Sequence, residues 1–179
     1  MEKILVFDTE TTGFRSDDEV LTLAVVNGTG ETMVDSMYAP ARKAEWPDAE
    51  RINRISPAMV ADCDPILTHR EELECLFNAP DTLLVGYNIE FDIRLLAQSG
   101  IRITNANRHD VMLAFSAFRK VPDARRGGDR WWELTECAEY YRYDWGTTAA
   151  HGALADTLAT LFCYRKMSEP VYEEQSLFD

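Results

Sequence analysis

The chain of 179 residues has no run of eighteen or more apolar residues, so no membrane-spanning helix is expected. Its opening, MEKILVFDTE, is interrupted by acids too soon for a secretory signal, and a cytoplasmic protein is expected. Cysteine is scarce. Cys63, Cys75, Cys137 and Cys163 are widely and irregularly spaced, and none lies in a CxxC pair. That spacing argues against a zinc site or a disulfide frame and for reduced, mostly buried thiols. Internal repeats and low-complexity blocks are absent, which excludes solenoid architectures. Cations are also short: 18 Lys and Arg face 31 Asp and Glu, a net charge of −13. Such a protein has no long-range electrostatic grip on duplex DNA. It can still hold one strand end in a cleft, where few phosphates are contacted and bound cations offset part of the acid.

What is present is an ordinary globular composition, 46% hydrophobic and 27% charged, in a length that favours one domain. Residues 3–7 (KILVF) form a β-rich run ending at Asp8, and the runs at 20–27 and 31–38 around Gly28, Thr29 and Gly30 predict an antiparallel hairpin. Four prolines between 40 and 65 predict loop and short helix; an amphipathic helix is expected over 66–78 and a buried strand over 82–86. Helix follows over 88–98, a short strand before Asp110, helix over 111–118, loop over 119–130 and helix near 131–142. In the last helix, about 153–167, Leu154, Leu158 and Leu161 with Phe162 predict the core stripe. Three strands followed by alternating helix and strand predict an α/β fold with a mixed sheet.

Three segments carry chemistry. Asp8 and Glu10 stand at i and i+2 on a strand, so both carboxylates share one face and repel unless a cation lies between them; solvated surface acids are the competing reading. In GYNIEFDIRLL, Asn88 and Asp92 are four apart beyond the carboxyl end of a strand, where open α/β sheets collect ligands. Asn88 as a simple helix cap, with Asp92 solvated, is the alternative. In HGALAD, His151 and Asp156 would be about 140° apart on a regular helix. Sharing one site therefore requires His151 on the approach to the helix, on a mobile loop around residues 146–150. A surface His and a surface Asp are the competing reading.

Together, FDTETTG, GYNIEFD and HGALAD resemble, in order and approximate spacing, the three motifs of the DnaQ-like DEDDh 3′→5′ exonucleases. The resemblance covers about residues 3–167, so a single exonuclease domain is expected over 1–168, and 169–179 reads as a flexible acidic tail. NRISPAMV at 53–60 and DVMLAF at 110–115 add to it, and Tyr87 departs from it where many relatives carry His. The family fold is ribonuclease H-like, a five-stranded mixed sheet flanked by helices. The resemblance implies that Asp8, Glu10, Asp92 and Asp156 hold two Mg²⁺ or Mn²⁺ ions and that His151 is the general base. It implies release of nucleoside 5′-monophosphates from single-stranded 3′ ends, DNA favoured, with Thr11, Thr12 and Phe14 around the terminal nucleotide and Asn88 and Phe91 lining the groove; RNA 3′-end trimming and a non-catalytic nucleic-acid or polymerase-binding module on the same fold are the alternatives. Many relatives form homodimers.

Phe14 reads either as a stacking wedge or as ordinary core. The strip FRKVPDARRGGDRWW sets Arg119, Lys120, Arg125, Arg126 and Arg130 against Asp123 and Asp129. With Trp131 and Trp132 beside them, Arg125, Arg126 and Arg130 are the expected phosphate contacts, with at least one Trp packed in the core. A solvated loop is the alternative. His69 is expected at the surface and His109 in a structural role. The terminal EQSLFD, through residues 175–178, loosely resembles the Gln-Leu-Phe peptides that dock on sliding clamps.

Overall fold

A computed structural model describes residues 3–125, 127–146 and 152–169. The first strand, β1 (Lys3–Thr11), is longer than its apolar run because its polar end still pairs with β2 (Val20–Asn27). Asp8 lies opposite Ala24 and Glu10 opposite Thr22, with a register break between Glu10 and Thr11. Both faces of β2 are covered, with Val20, Leu21, Leu23, Ala24, Val25 and Val26 all buried, as expected of a strand between two layers of helix. β3 (Thr32–Met37) is the polar edge.

Among the described residues the main sheet has five strands in the order β3-β2-β1-β4-β5, where β4 is Thr82–Gly86 and β5 is Arg108–Asp110. β1 pairs antiparallel with β2, and β3 with β2, while β4 and β5 run parallel to β1. This is the expected mixed sheet. Between β3 and β4 lie α1 (Pro47–Asn53), α2 (Pro57–Val60) and α3 (Arg70–Phe77). The helix expected over 66–78 starts as a 3-10 turn, Ile66–His69, and α3 begins only at Arg70. α4 (Ile89–Gln98) follows β4, and α5 (Val111–Arg119) follows β5.

The loop expected over 119–130 contains a small hairpin, β6 (Pro122–Asp123) with β7 (Gly128–Asp129). α6 (Leu134–Tyr140) is shorter than expected because Glu133 and Glu136 form a capping box that sets its start. α7 is Ala153–Ser168.

Two apolar layers sandwich the sheet. Leu5, Phe7, Leu23 and Leu84 meet Phe77, Ile89, Leu95 and Leu96 on the α3/α4 side. Val6, Val26 and Val85 meet Val111, Phe115, Cys137, Leu161 and Cys163 on the α5/α6/α7 side. The stripe expected on α7 is met at Leu161 and displaced at its other positions. Leu154, Leu158 and Phe162 are only half-buried, whereas Ala155, Ala159 and Cys163 are buried. Small residues four apart let the helix lie close to the sheet, so the large side chains are pushed to its flanks. The cysteines are all free, but only Cys137 and Cys163 are buried; Cys75 is exposed. No described helix is long and apolar enough to cross a membrane.

Candidate active site

Alternation along β1 decides which way each site residue faces. Asp8 and Glu10 point to the same side as Val6, toward α7, where Asp156 occupies the first turn. One carboxylate oxygen from each of Asp8, Glu10 and Asp156 lies within 4.8 Å of the others. All three residues are half-buried. Thr9 faces the opposite side. There Asp92, buried on α4, accepts hydrogen bonds from the Thr9 backbone N–H at 3.0 Å and from Thr9 Oγ1 at 2.6 Å. Asp92 thus reaches the strand end from the α4 layer while Asp156 comes from the α7 layer, so the three-oxygen cluster does not include Asp92 itself.

The charges are strongly coupled. Burial, then Asp92, Asp156 and Glu10 in turn, push the Asp8 carboxyl well above the usual range. Burial and the neighbouring Asp156 and Asp92 raise Glu10 to about 7. Burial also carries Asp92 up to about 7, against the opposing hydrogen bonds from Thr9. Hard divalent cations take carboxylate oxygens, and a half-buried cluster of mutually repelling acids fits them by donor type and by charge.

A pH dependence follows for the metal-free protein. The native state holds these protons more tightly than the unfolded chain, whose carboxyls titrate near about 4. The stability they confer is complete below about pH 4 and is lost as the pH rises toward about 7. Asp18 acts in the other direction. Burial pushes its carboxyl up, but bonds from Lys43, Thr12 and the Arg15 N–H outweigh that and hold it below the usual range. Its contribution fades only in stronger acid, outside the first window. In EDTA the thermal midpoint is therefore expected to be higher near pH 5 than near pH 7.5, and added divalent cation should raise it more at the higher pH. Midpoints independent of pH across that window would contradict the coupling.

The loop after β1 is built around Asp18. Thr12 Oγ1 donates to it at 2.8 Å and the Arg15 N–H at 2.6 Å, and Lys43 pairs with it. Gly13 has φ +149°, and a Cβ there would lie 2.7 Å from Asp18 Oδ2, so glycine is required. Asn53, in the NRISPAMV segment, donates to the Thr11 carbonyl at 3.0 Å. Thr11 and Thr12 are buried with their hydroxyls used internally, Thr11 Oγ1 donating to the Gly13 carbonyl at 2.9 Å. Phe14 is held out of the core, 70% exposed, which removes the core reading. Its ring lies 5.7 Å from Phe91, and the Arg94 guanidinium sits 5.2 Å from the Phe91 ring. A cleft of about 590 Å³ flanks Phe14, with Arg15, Lys43, Trp46 and Ile52 among its walls.

Asn88 stands at the start of α4 in the left-handed conformation (φ 62°, ψ 46°), which Asn tolerates, and makes no side-chain cap. Its N–H donates to Asp110 Oδ1 at 3.2 Å, and Asp110 also caps α5 through the Leu113 N–H. Tyr87 donates its hydroxyl to the Trp132 carbonyl at 2.8 Å, tying the β4–α4 turn to the segment before α6. Trp132 is half-buried and Trp131 exposed. Arg130 pairs with Glu136 and lies 4.0 Å over the Trp132 ring, while the Arg125 N–H donates to Asp123. His69 is half-buried against Tyr38, and His109 packs on Tyr164. His151, Arg126 and the 175–178 tail lie outside the described residues.

The profile of the RNase T exonuclease family matches residues 5–164. The chain belongs to that family. Its mixed sheet is that of the DnaQ-like, ribonuclease H-like fold. Among solved structures it is similar to E. coli exonuclease I in complex with a dA16 oligonucleotide: 19% identity, TM-score 0.67, 90% of this chain and 39% of that one. A zinc-bound complex of the same E. coli enzyme with single-stranded DNA gives 18% identity and a TM-score of 0.71, over 96% of this chain and 42% of that one. Exonuclease I of Methylocaldum szegediense gives 22% identity and a TM-score of 0.69, over 93% and 41%. The chain therefore spans about two fifths of the length of these proteins, and at such identities the likeness speaks for the fold. No curated protein matches.

The sequence reading did not single out Thr9, Asp18, Asn53 or Arg94. Thr9 sits between two motif acids, and Arg94 stands three residues after Phe91 on the same helix face, so both had a local signal. The role of Asp18 depends on a loop closure that no periodicity records.

Proposed function

We infer that the chain is a 3′→5′ exonuclease that releases nucleoside 5′-monophosphates from single-stranded nucleic acid, with DNA preferred. The observation that carries this reading is the convergence of Asp8, Glu10 and Asp156, backed by Asp92, with the exposed Phe14 ring against the half-buried Phe91. Asp8, Glu10, Asp156 and Asp92 would hold the divalent cations. When bound, Mg²⁺ or Mn²⁺ supplies the charge that makes water a nucleophile near neutral pH and stabilises the departing oxygen. His151 takes a proton from the attacking water, the water oxygen bonds to phosphorus as the bond from phosphorus to the 3′ oxygen breaks, and solvent water protonates that departing oxygen. The support for His151 is its place in HGALAD, five residues before Asp156.

The terminal base packs on Phe14 and Phe91, with Asn88 at the turn beside them. Thr11 and Thr12, their hydroxyls turned inward, hold the loop that presents Phe14. Arg125, Arg126 and Arg130 supply cations along the strand. Replacing Phe14 with Ala should raise KM for an oligonucleotide about 5- to 150-fold, the loss of one base–aromatic stack of roughly 1–3 kcal/mol, with kcat little changed. A fall in kcat at constant KM would place Phe14 elsewhere. DNA is favoured by the oligodeoxynucleotide-bound state of similar structures. The deciding experiment digests matched DNA and RNA oligonucleotides labelled at either end, with Mg²⁺, Mn²⁺ or EDTA. Shortening from the 5′ end, or release in EDTA, would reject the reading; faster digestion of RNA would make the chain an RNA-end trimmer instead.

A further inference from the structure

Half of the large apolar side chains that stand exposed among the described residues, Leu113, Phe118, Val121, Trp131 and Tyr140, fall within one stretch of chain. α5, the hairpin and α6 bring this stretch together with the cations that an otherwise acidic protein lacks. Arg119 lies 4.6 Å from the Trp132 ring and 4.7 Å from the Tyr140 ring. Arg130 lies 4.0 Å from the Trp132 ring, and Phe118 meets Tyr140 at 5.8 Å. Among the described residues Arg119 has no carboxylate partner, whereas Arg130 pairs with Glu136. A pocket of about 550 Å³ bounded by Arg125, Arg130 and Trp131 adjoins the ladder.

Interleaved guanidinium and aromatic groups favour a ligand that offers both flat π faces and negative charge, which is single-stranded nucleic acid. Two hydrogen bonds tie this surface to the β4–α4 turn that precedes Asp92. Tyr87 binds the Trp132 carbonyl, and Asp110 binds the Asn88 N–H while capping α5. From that cap, α5 runs about 12 Å to Phe118 and Arg119, a distance set by its rise per residue.

We propose that the ladder of Phe118, Arg119, Trp132 and Tyr140 is a second nucleotide subsite, which holds the strand upstream of the terminal nucleotide. It rests on the exonuclease reading and adds to it a dependence on substrate length. A dinucleotide ends before the ladder, and a dodecanucleotide crosses it. Phe118→Ala and Arg119→Gln should each raise KM for the dodecanucleotide about tenfold, the loss of one stack, and leave KM for the dinucleotide and kcat for both unchanged. Phe118→Trp should restore the dodecanucleotide value.

Equal KM changes for both lengths, or none for either, would overturn the subsite. So would variants that turn a dimer into a monomer while leaving dodecanucleotide KM untouched, since the patch would then be a self-association face. If the wild-type protein released nothing from either oligonucleotide, the exonuclease reading would fall. The subsite would then be decided by fluorescence anisotropy of the labelled dodecanucleotide in EDTA: unchanged affinity in the two variants would reject it.

Discussion

Replacing Asp8 with Asn is expected to reduce nucleotide release by at least about 10²–10³-fold and, in the same protein, to raise the thermal midpoint measured in EDTA. Both effects have one cause. Asp8 stands between Glu10, Asp156 and Asp92, each of which disfavours its charge. Asn keeps the shape of the side chain while removing the charge that the other acids repel and that cations require. Activity built on mutual repulsion is paid for in stability, a familiar trade at catalytic sites. Measuring release from an end-labelled oligonucleotide alongside thermal unfolding separates this from simple damage. A variant with undiminished release would remove Asp8 from the site, and one that unfolds earlier in EDTA would contradict the coupling.

His151→Ala is expected to slow release about 10²–10⁴-fold while leaving Mn²⁺ affinity near that of the wild type. On the proposed mechanism a base that accepts the proton of water acts in the chemical step, whereas the carboxylates would hold the ions. The pH–rate profile should also lose the limb that His151 contributes as a base. Titration calorimetry with Mn²⁺ and a pH series of single-turnover rates would read the two quantities separately. An unaltered profile would take the role of base away from His151, and lost Mn²⁺ binding would make it a ligand.

The hairpin β2–β3, the buried strand β4 and the order of helices were legible because each depends on neighbours within a few positions. The i, i+2 relation of Asp8 and Glu10 was legible for the same reason, since strand geometry alone puts them on one face. α7 was misread at the level of its packing. Leucine at i, i+4 and i+7 looks like a core stripe, yet of the three only Leu161 is buried, and Ala155, Ala159 and Cys163 take the other buried positions because a helix crossing closely leaves room mainly for small side chains. Phe14 was ambiguous for want of any periodic context, and its exposure is set by the Asp18 anchor and by Gly13.

By itself, then, the sequence determined which residues are acidic, in what order they recur and which local elements carry them. Only the tertiary structure decided their mutual placement. It set Asp156 with Asp8 and Glu10 on the α7 side and turned Asp92 to Thr9 from the α4 side. The physical reason is that side chains 83 residues apart, such as Thr9 and Asp92, meet only when two helix layers close on opposite faces of one sheet. That closure follows from burying apolar surface on both faces, to which the acids themselves contribute nothing favourable.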